Sequence, residues 1–170
     1  IISAVDMGVT DGRWWYAMEL VEGISLGERI EEKGTLTERE ALRIFGPIVD
    51  ALQHAHGMGV IHRDVKPANI LVTDPTEGGR RRILLTDFGI GREADDVDGL
   101  TDVDIALGTV SYAAPEQLVS NVIDGRADQY ALAATAYHLL TGVPLFDHSN
   151  RVVVVGNHLK TPPPPLSARR

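Results

Sequence analysis

The stretch His62-Arg63-Asp64-Val65-Lys66-Pro67-Ala68-Asn69 decides how this chain is read. It sets a carboxylate, an ammonium and an amide side by side, so a base, a cation and an oxygen ligand for a hard metal share one short loop. Eighteen residues after Asn69 stands Asp87-Phe88-Gly89, and further on Ala114-Pro115-Glu116. Taken singly each piece is ordinary: Asp-Phe-Gly reads as a turn, and a lone Arg-Asp pair as a surface ion pair. Their common order and spacing carry the signal.

Composition bounds the rest. At 170 residues the chain is long enough for one good core, and one domain is the expectation. Hydrophobic residues at 44% and charged residues at 24% are ordinary for a globular protein. Sixteen Lys plus Arg against 24 Asp plus Glu leave a net charge of −8, which argues against nucleic acid as the main partner. With no cysteine, neither a disulfide framework nor a thiolate metal site is available. The longest apolar run, Ala131 to Leu140, contains His138 and is too short to cross a bilayer. Ile1-Ile2-Ser3-Ala4 shows neither an initiator Met nor a signal-peptide pattern, so a segment of something longer is expected, with any membrane anchor outside it.

Hydrophobic periodicity and turn chemistry place the motifs. Residues 2–9 and 13–20 read as two strands around the turn Thr10-Asp11-Gly12, and Glu22-Gly23 ends the second. Ser25 caps a short helix to about Glu32, and Thr37 with Glu40 forms a capping box. That box starts a long amphipathic helix with Ala41, Ile44, Phe45, Ile48, Leu52 and Ala55 on one face, stopped by Gly57 and Gly59. Val60-Ile61, Ile70-Leu71-Val72 and Ile83-Leu84-Leu85 are short buried strand candidates. Arg80-Arg81-Arg82 reads as a solvated basic turn. Residues 92–107 lack periodicity and carry six acids, Glu93, Asp95, Asp96, Asp98, Asp102 and Asp104, which reads as a mobile loop. Asp128 to Leu140 predicts a buried helix, Arg151 to Leu159 another despite four consecutive valines, and Pro162 to Pro165 an extended tail. His54 and His56, two apart on a helix, do not share a face and are not read as a metal pair.

In order, the motifs read H-R-D-x-K-P-x-N, D-F-G and A-P-E, and with them the chain resembles the Ser/Thr branch of the protein kinases in its bacterial form. The resemblance covers nearly all of the chain. It implies an α+β, protein-kinase-like fold: a partial small-lobe β-hairpin and hinge over residues 1–23, and a mainly helical large lobe over 24–170. It implies transfer of the γ-phosphoryl of ATP to Ser or Thr hydroxyls of protein substrates, with Mg²⁺, or Mn²⁺ in its place. A second copy of the kinase is a further partner, through autophosphorylation, and a cytoplasmic kinase domain is the expected location.

The residue roles follow from the same resemblance. Asp64 is the catalytic base, Lys66 the point charge that neutralises the transferring phosphoryl, and Asn69 and Asp87 the metal ligands. Phe88 sets where Asp87 points, and Gly89 gives the backbone freedom to switch. Met18 stands at the gatekeeper place, with Glu19, Leu20 and Val21 as the hinge against adenine and Leu71 as the floor beneath it. Asp128 ties down the backbone of the His62-Arg63-Asp64 turn; a buried carboxylate needs such donors. Gly108-Thr109 before the Ala-Pro-Glu motif is similar to the Ser/Thr-specific kinases, and Thr109 would bond across to Asp64 and Lys66. Arg63 is the receiver for an activation-loop phosphate, with Thr101 as donor; an unmodified Thr in a solvated acidic loop stands beside that reading. The acidic loop also hints at basic residues around the target hydroxyl.

Three parts of the family's machinery have no counterpart in the sequence: a Gly-rich loop over the phosphates, a strand Lys and a helix Glu paired with it. Glu116 ordinarily pairs with an Arg beyond the last residue. The expectation is therefore a piece of a kinase domain, inactive by itself. Two functions stay open: the catalytic core of a Ser/Thr kinase, or a kinase-like module that binds or scaffolds partners without transferring phosphate. Intact Asp64, Lys66, Asn69 and Asp87 favour the first.

Overall fold

A computed structural model of the chain describes residues 1–75, 81–88, 110–119 and 122–169. The expectations for Gly89, Thr101, Gly108, Thr109, Arg80 and the acidic stretch lie outside these residues.

Strands β1 (Ala4–Thr10) and β2 (Arg13–Met18) form an antiparallel hairpin closed by the pair Thr10 and Arg13. Its two turn residues, Asp11 and Gly12, have φ of +52° and +73°. Both central positions are thus left-handed, the turn whose twist matches two right-twisted strands and which the Asp-Gly pair supplies most readily. A second, three-stranded antiparallel sheet runs β3 (Gly23–Ser25), β4 (Ile70–Thr73), β5 (Ile83–Leu85) in that order. Strand β3 was not legible locally. Three residues that pair with Leu71 to Thr73 far along the chain carry no period of their own.

The helices begin where side chains can satisfy their first amides. Helix α1 (Leu26–Lys33) opens on Ser25, whose hydroxyl accepts from the Glu28 amide at 3.1 Å while Glu28 reaches back to the Ser25 amide at 2.7 Å. Helix α2 (Glu38–Gly57) opens on the same reciprocal box between Thr37 and Glu40. Its residues Ala41, Ile48, Leu52 and Ala55 are buried. A one-turn helix α3 (Pro115–Val119) follows, then α4 (Gly125–Thr141), capped by Asp124, and α5 (Arg151–Lys160), capped by Asn150. The predicted strand at Val60-Ile61 does not form. The Val60 amide turns back to the Ala55 carbonyl at 2.9 Å, and Arg63 is left-handed with φ of +67°, which an extended strand excludes.

Two apolar clusters make the core. One gathers Leu26, Ile48, Leu52, Val65, Ile70, Leu85 and Leu139; the other gathers Val110, Ala134, Tyr137, Leu145, Phe146 and Val154. Helix α4 serves both, with Ala131 and Leu139 in the first and Ala134 and Tyr137 in the second. This explains why it reads as almost continuously apolar. The valine run in α5 is tolerated because Val154 packs into the second cluster, and each such burial contributes about 1.5–3 kcal/mol. At the start of α4, a Cβ on Gly125 would lie 2.7 Å from the His56 ring, so only glycine lets that ring approach.

Candidate active site

The loop from His62 to Asn69 leaves helix α2 and enters strand β4 through a single 3₁₀ turn at Pro67–Asn69. Its conformation is irregular, so its backbone groups need partners from elsewhere. Asp128, fully buried in the first turn of α4, provides them. Its Oδ2 accepts from the His62 amide at 2.8 Å and its Oδ1 from the Arg63 amide at 2.8 Å. The His56 Nε2 lies 2.7 Å from the same Oδ2. On the carbonyl side, Gln117 Nε2 donates to Arg63 O at 2.8 Å and Thr135 Oγ1 to Val65 O at 3.3 Å. The left-handed Arg63 is thereby held on both faces of its peptide unit.

Three chemistry-bearing side chains meet at one oxygen. Lys66 Nζ donates to Asp64 Oδ2 at 2.7 Å, and Asn69 Nδ2 donates to that atom at 3.0 Å and to the Asp64 carbonyl at 2.8 Å. The amide nitrogen of Asn69 therefore faces Asp64, and its oxygen is the atom suited to a cation. Asp87 is brought to the same loop by its neighbour. The Thr86 amide donates to Asn69 O at 3.0 Å, and the Thr86 carbonyl accepts from the far end of the loop, at His62. Asp87 itself is left-handed, φ +59°, and its Oδ1 accepts from Tyr16 Oη at 3.1 Å and from Thr86 Oγ1 at 3.3 Å. Burial, then the bond to Asp87 and its charge, raise the Tyr16 phenol above its ordinary range.

His62 is buried, and its partners define its tautomer. Nδ1 accepts the Asp64 amide at 3.2 Å, so Nε2 carries the proton and donates to the Thr86 carbonyl at 2.9 Å. Burial lowers its pKa and keeps the ring neutral, against the opposing pull of the Thr86 carbonyl and nearby carboxylates. The Phe88 ring packs on it with centroids 4.5 Å apart.

The expected nucleotide side is open. Met18 ends β2 and, with Asp87, Phe88, Tyr16 and Ala55, lines a cavity of about 340 Å³. Glu19 is fastened by an ion pair to Arg82, which holds its carboxyl below the usual range, and by its amide to the Ser3 carbonyl at 3.0 Å. Leu20 and Val21 make no backbone hydrogen bond among the described residues, and Leu20 is 91% exposed. Leu71 is half-buried in β4, opposite Leu84. Lys66 also lines a separate cleft of about 490 Å³, with Ile30, Glu31, Pro67, Tyr112 and His138 among others. There the Tyr112 hydroxyl lies 2.7 Å from His138 Nδ1; burial pushes the phenol up to about 12 and the imidazole down, so the phenol donates to a neutral ring.

Glu116 sits half-buried in the first turn of α3 and makes no ion pair among the described residues. It is its neighbour Gln117 that reaches the loop. Gln117, His56, Thr135 and Tyr16 are contributors that sequence reading missed. The only local signal was the position of Gln117 beside the Ala-Pro-Glu motif.

The donor set fits a magnesium-like ion. Asp87 and Asn69 offer hard oxygens, and no group of three or more His, Cys, Asp or Glu forms a closed metal cage among the described residues. A site with one or two protein oxygens, completed by phosphate and water, suits a cation that dehydrates reluctantly.

Comparison with known proteins agrees with this geometry. The family model for the protein kinase domain matches residues 1–161. The Ser/Thr-protein kinase PknF of Mycobacterium tuberculosis is 47% identical over 171 residues, covering 99% of this chain and 36% of that protein. PknJ of the same organism is 42% identical, over 99% of this chain and 28% of its own length. The crystal structure of the M. tuberculosis PknI kinase domain superposes with a TM-score of 0.73 at 38% identity, covering all of this chain and 57% of that domain. The chain thus spans about a third of the length of the curated relatives it matches. It belongs to the protein kinase family, on the bacterial Ser/Thr branch.

Proposed function

We propose that the protein transfers the γ-phosphoryl of ATP to Ser or Thr hydroxyls of protein substrates, and that the residues gathered on Asp64 are its catalytic centre. The observation that carries this reading is the pair of donors on one carboxylate oxygen: Lys66 Nζ and Asn69 Nδ2 both bond to Asp64 Oδ2. With Oδ2 held this way, Oδ1 remains to orient and accept the proton of an incoming hydroxyl. Lys66 stands within reach of both that carboxylate and an arriving phosphoryl group, whose charge it offsets. Asn69 and Asp87 would hold the divalent cation that the family uses with ATP, and that cation would supply charge neutralisation on the phosphates. Met18, Glu19, Leu20, Val21 and Leu71 would border adenine, the backbone groups of Leu20 and Val21, unbonded among the described residues, offering it hydrogen-bond partners. The cleft that Lys66 helps to line would be the approach for the substrate segment.

In the full-length protein, Asp64→Asn is expected to lower autophosphorylation with ATP and Mg²⁺ by at least about 10²-fold, the lower range for loss of a positioned general base. Phosphorylation by the variant at the wild-type rate, measured by phosphoprotein mass spectrometry, would sink the mechanism.

A further inference from the structure

We propose that Tyr16 is a positioning residue for Asp87: its hydroxyl fixes one carboxylate oxygen and so sets how tightly the site holds its divalent cation. The proposal rests on reading Asp87 as a metal ligand. Three observations carry it. First, Tyr16 lies on an exposed hairpin strand, where a phenol has water for a partner, yet it donates to Asp87 Oδ1 at 3.1 Å across 71 residues of sequence. Second, Thr86 Oγ1 donates to the same atom at 3.3 Å. Both hydroxyls converge on Oδ1, leaving Oδ2 as the oxygen for a cation. Third, Asp87 holds φ of +59°, a conformation that non-glycine residues adopt only when their surroundings over-determine it. Among the described residues, the Tyr16 hydroxyl bonds the Asp87 side chain from outside the strand-to-loop junction.

The hairpin that carries Tyr16 is itself fastened to the body of the protein at its open end. The Ile2 amide donates to the Leu85 carbonyl at 3.1 Å, and Glu19, just past the end of β2, is paired with Arg82. The Tyr16 ring also lines the cavity shared with Ile2, Met18 and Phe88, whose apolar walls strengthen a hydrogen bond to a carboxylate. The hairpin is thereby coupled to the Asp87 side chain through the Tyr16 hydroxyl. Partners that orient a ligating carboxylate usually change metal affinity by one to two orders of magnitude when removed. Since Thr86 remains, the lower end applies.

The test is Tyr16→Phe in the full-length protein, which removes the hydroxyl and keeps the ring in its cavity. Mn²⁺ binding in the presence of a non-hydrolysable ATP analogue, read by electron paramagnetic resonance, is expected to weaken roughly 10-fold. The Mg²⁺ concentration for half-maximal autophosphorylation should rise by a similar factor, with the lost rate recovered at high metal. Trp15→Phe, on the neighbouring position, should move neither reading. Unchanged Mn²⁺ affinity in Tyr16→Phe, in a protein whose wild type phosphorylates itself, overturns the positioning role and leaves the kinase reading standing. A fall in rate that high metal does not recover, with Mn²⁺ affinity unmoved, overturns it equally. A wild type that neither binds Mn²⁺ with the analogue nor phosphorylates removes the kinase reading, and this proposal with it.

Discussion

The loop from His62 to Asn69 and the β1–β2 hairpin both reach the Thr86-Asp87 pair, the loop through Thr86 and the hairpin through Tyr16, but are held in opposite ways. Apart from the single 3₁₀ turn at Pro67–Asn69 the loop has no regular structure, yet the amides of His62 and Arg63 and the carbonyls of Arg63, Asp64 and Val65 are all met by side chains from α3, α4 or the loop itself. The hairpin is paired strand to strand from Asp6 to Thr10 and again at Ala4, with one irregularity between them, yet Val5, Met7 and Val9 lie exposed along β1 and Leu20, just past β2, is 91% exposed. Regularity and rigidity are thus separate properties. Helices and strands satisfy their own backbone, whereas an irregular turn must borrow its partners, and borrowing them from a buried helix fixes it to the core.

The largest effect on that contrast is expected from Asp128→Ala. It leaves the His62 and Arg63 amides and the His56 ring facing an apolar gap, with the left-handed Arg63 held on one side only. Losing one partner of a buried charged network costs about 3–5 kcal/mol. Urea unfolding of the longest stable form should report that loss, and hydrogen exchange should show the Arg63 amide falling to the protection of the hairpin. Acidification comes next. His62, His138 and His158 are each less basic in the folded chain than the ordinary value of 6.5, chiefly because burial penalises their charge. Below that pH the unfolded chain binds more protons than the folded one, so stability rises with pH there. It should be full above about 6.5 and fall steadily toward pH 5, as thermal melts across that range would show. A melting temperature that is flat or rises on acidification contradicts the neutral, hydrogen-bonded His62. The smallest effect should come from the hairpin side. Leu20→Ser, at a position 91% exposed, is expected to change stability by no more than about 0.5 kcal/mol by the same urea titration. A larger loss would mean that Leu20 has a partner in solution.

What the sequence made legible follows the same division. The Asp-Gly turn, the Thr37 capping box and the buried stripe of α2 were readable because each is a local device whose partners lie within a few residues. The order of the motifs pointed to the loop, and the resemblance named Asp128 as its tie; that carboxylate bonds the His62 and Arg63 amides. Residues whose partners are remote stayed hidden. Gln117 binds a carbonyl 54 positions away, His56 a carboxylate 72 away, and Tyr16 a carboxylate 71 away. None belongs to a periodic pattern, and a polar side chain gives no local sign of which distant group it will meet. Val60-Ile61 misled for the complementary reason. Two apolar residues beside a buried loop look like a strand, but the neighbouring amides were already committed to α4.

Gly125 shows how such remote ties constrain change. It is small because His56 must pass close to it to reach Asp128, so the two positions form one steric unit. A side chain at 125 is tolerable only in a background where residue 56 has already shrunk, and a large residue at 56 is useful only while 125 stays bare. The effects of substitutions at these positions are therefore expected to be strongly non-additive. The order in which mutations arrive then decides which are accessible: the path through position 56 first is open, and the path through position 125 first is closed.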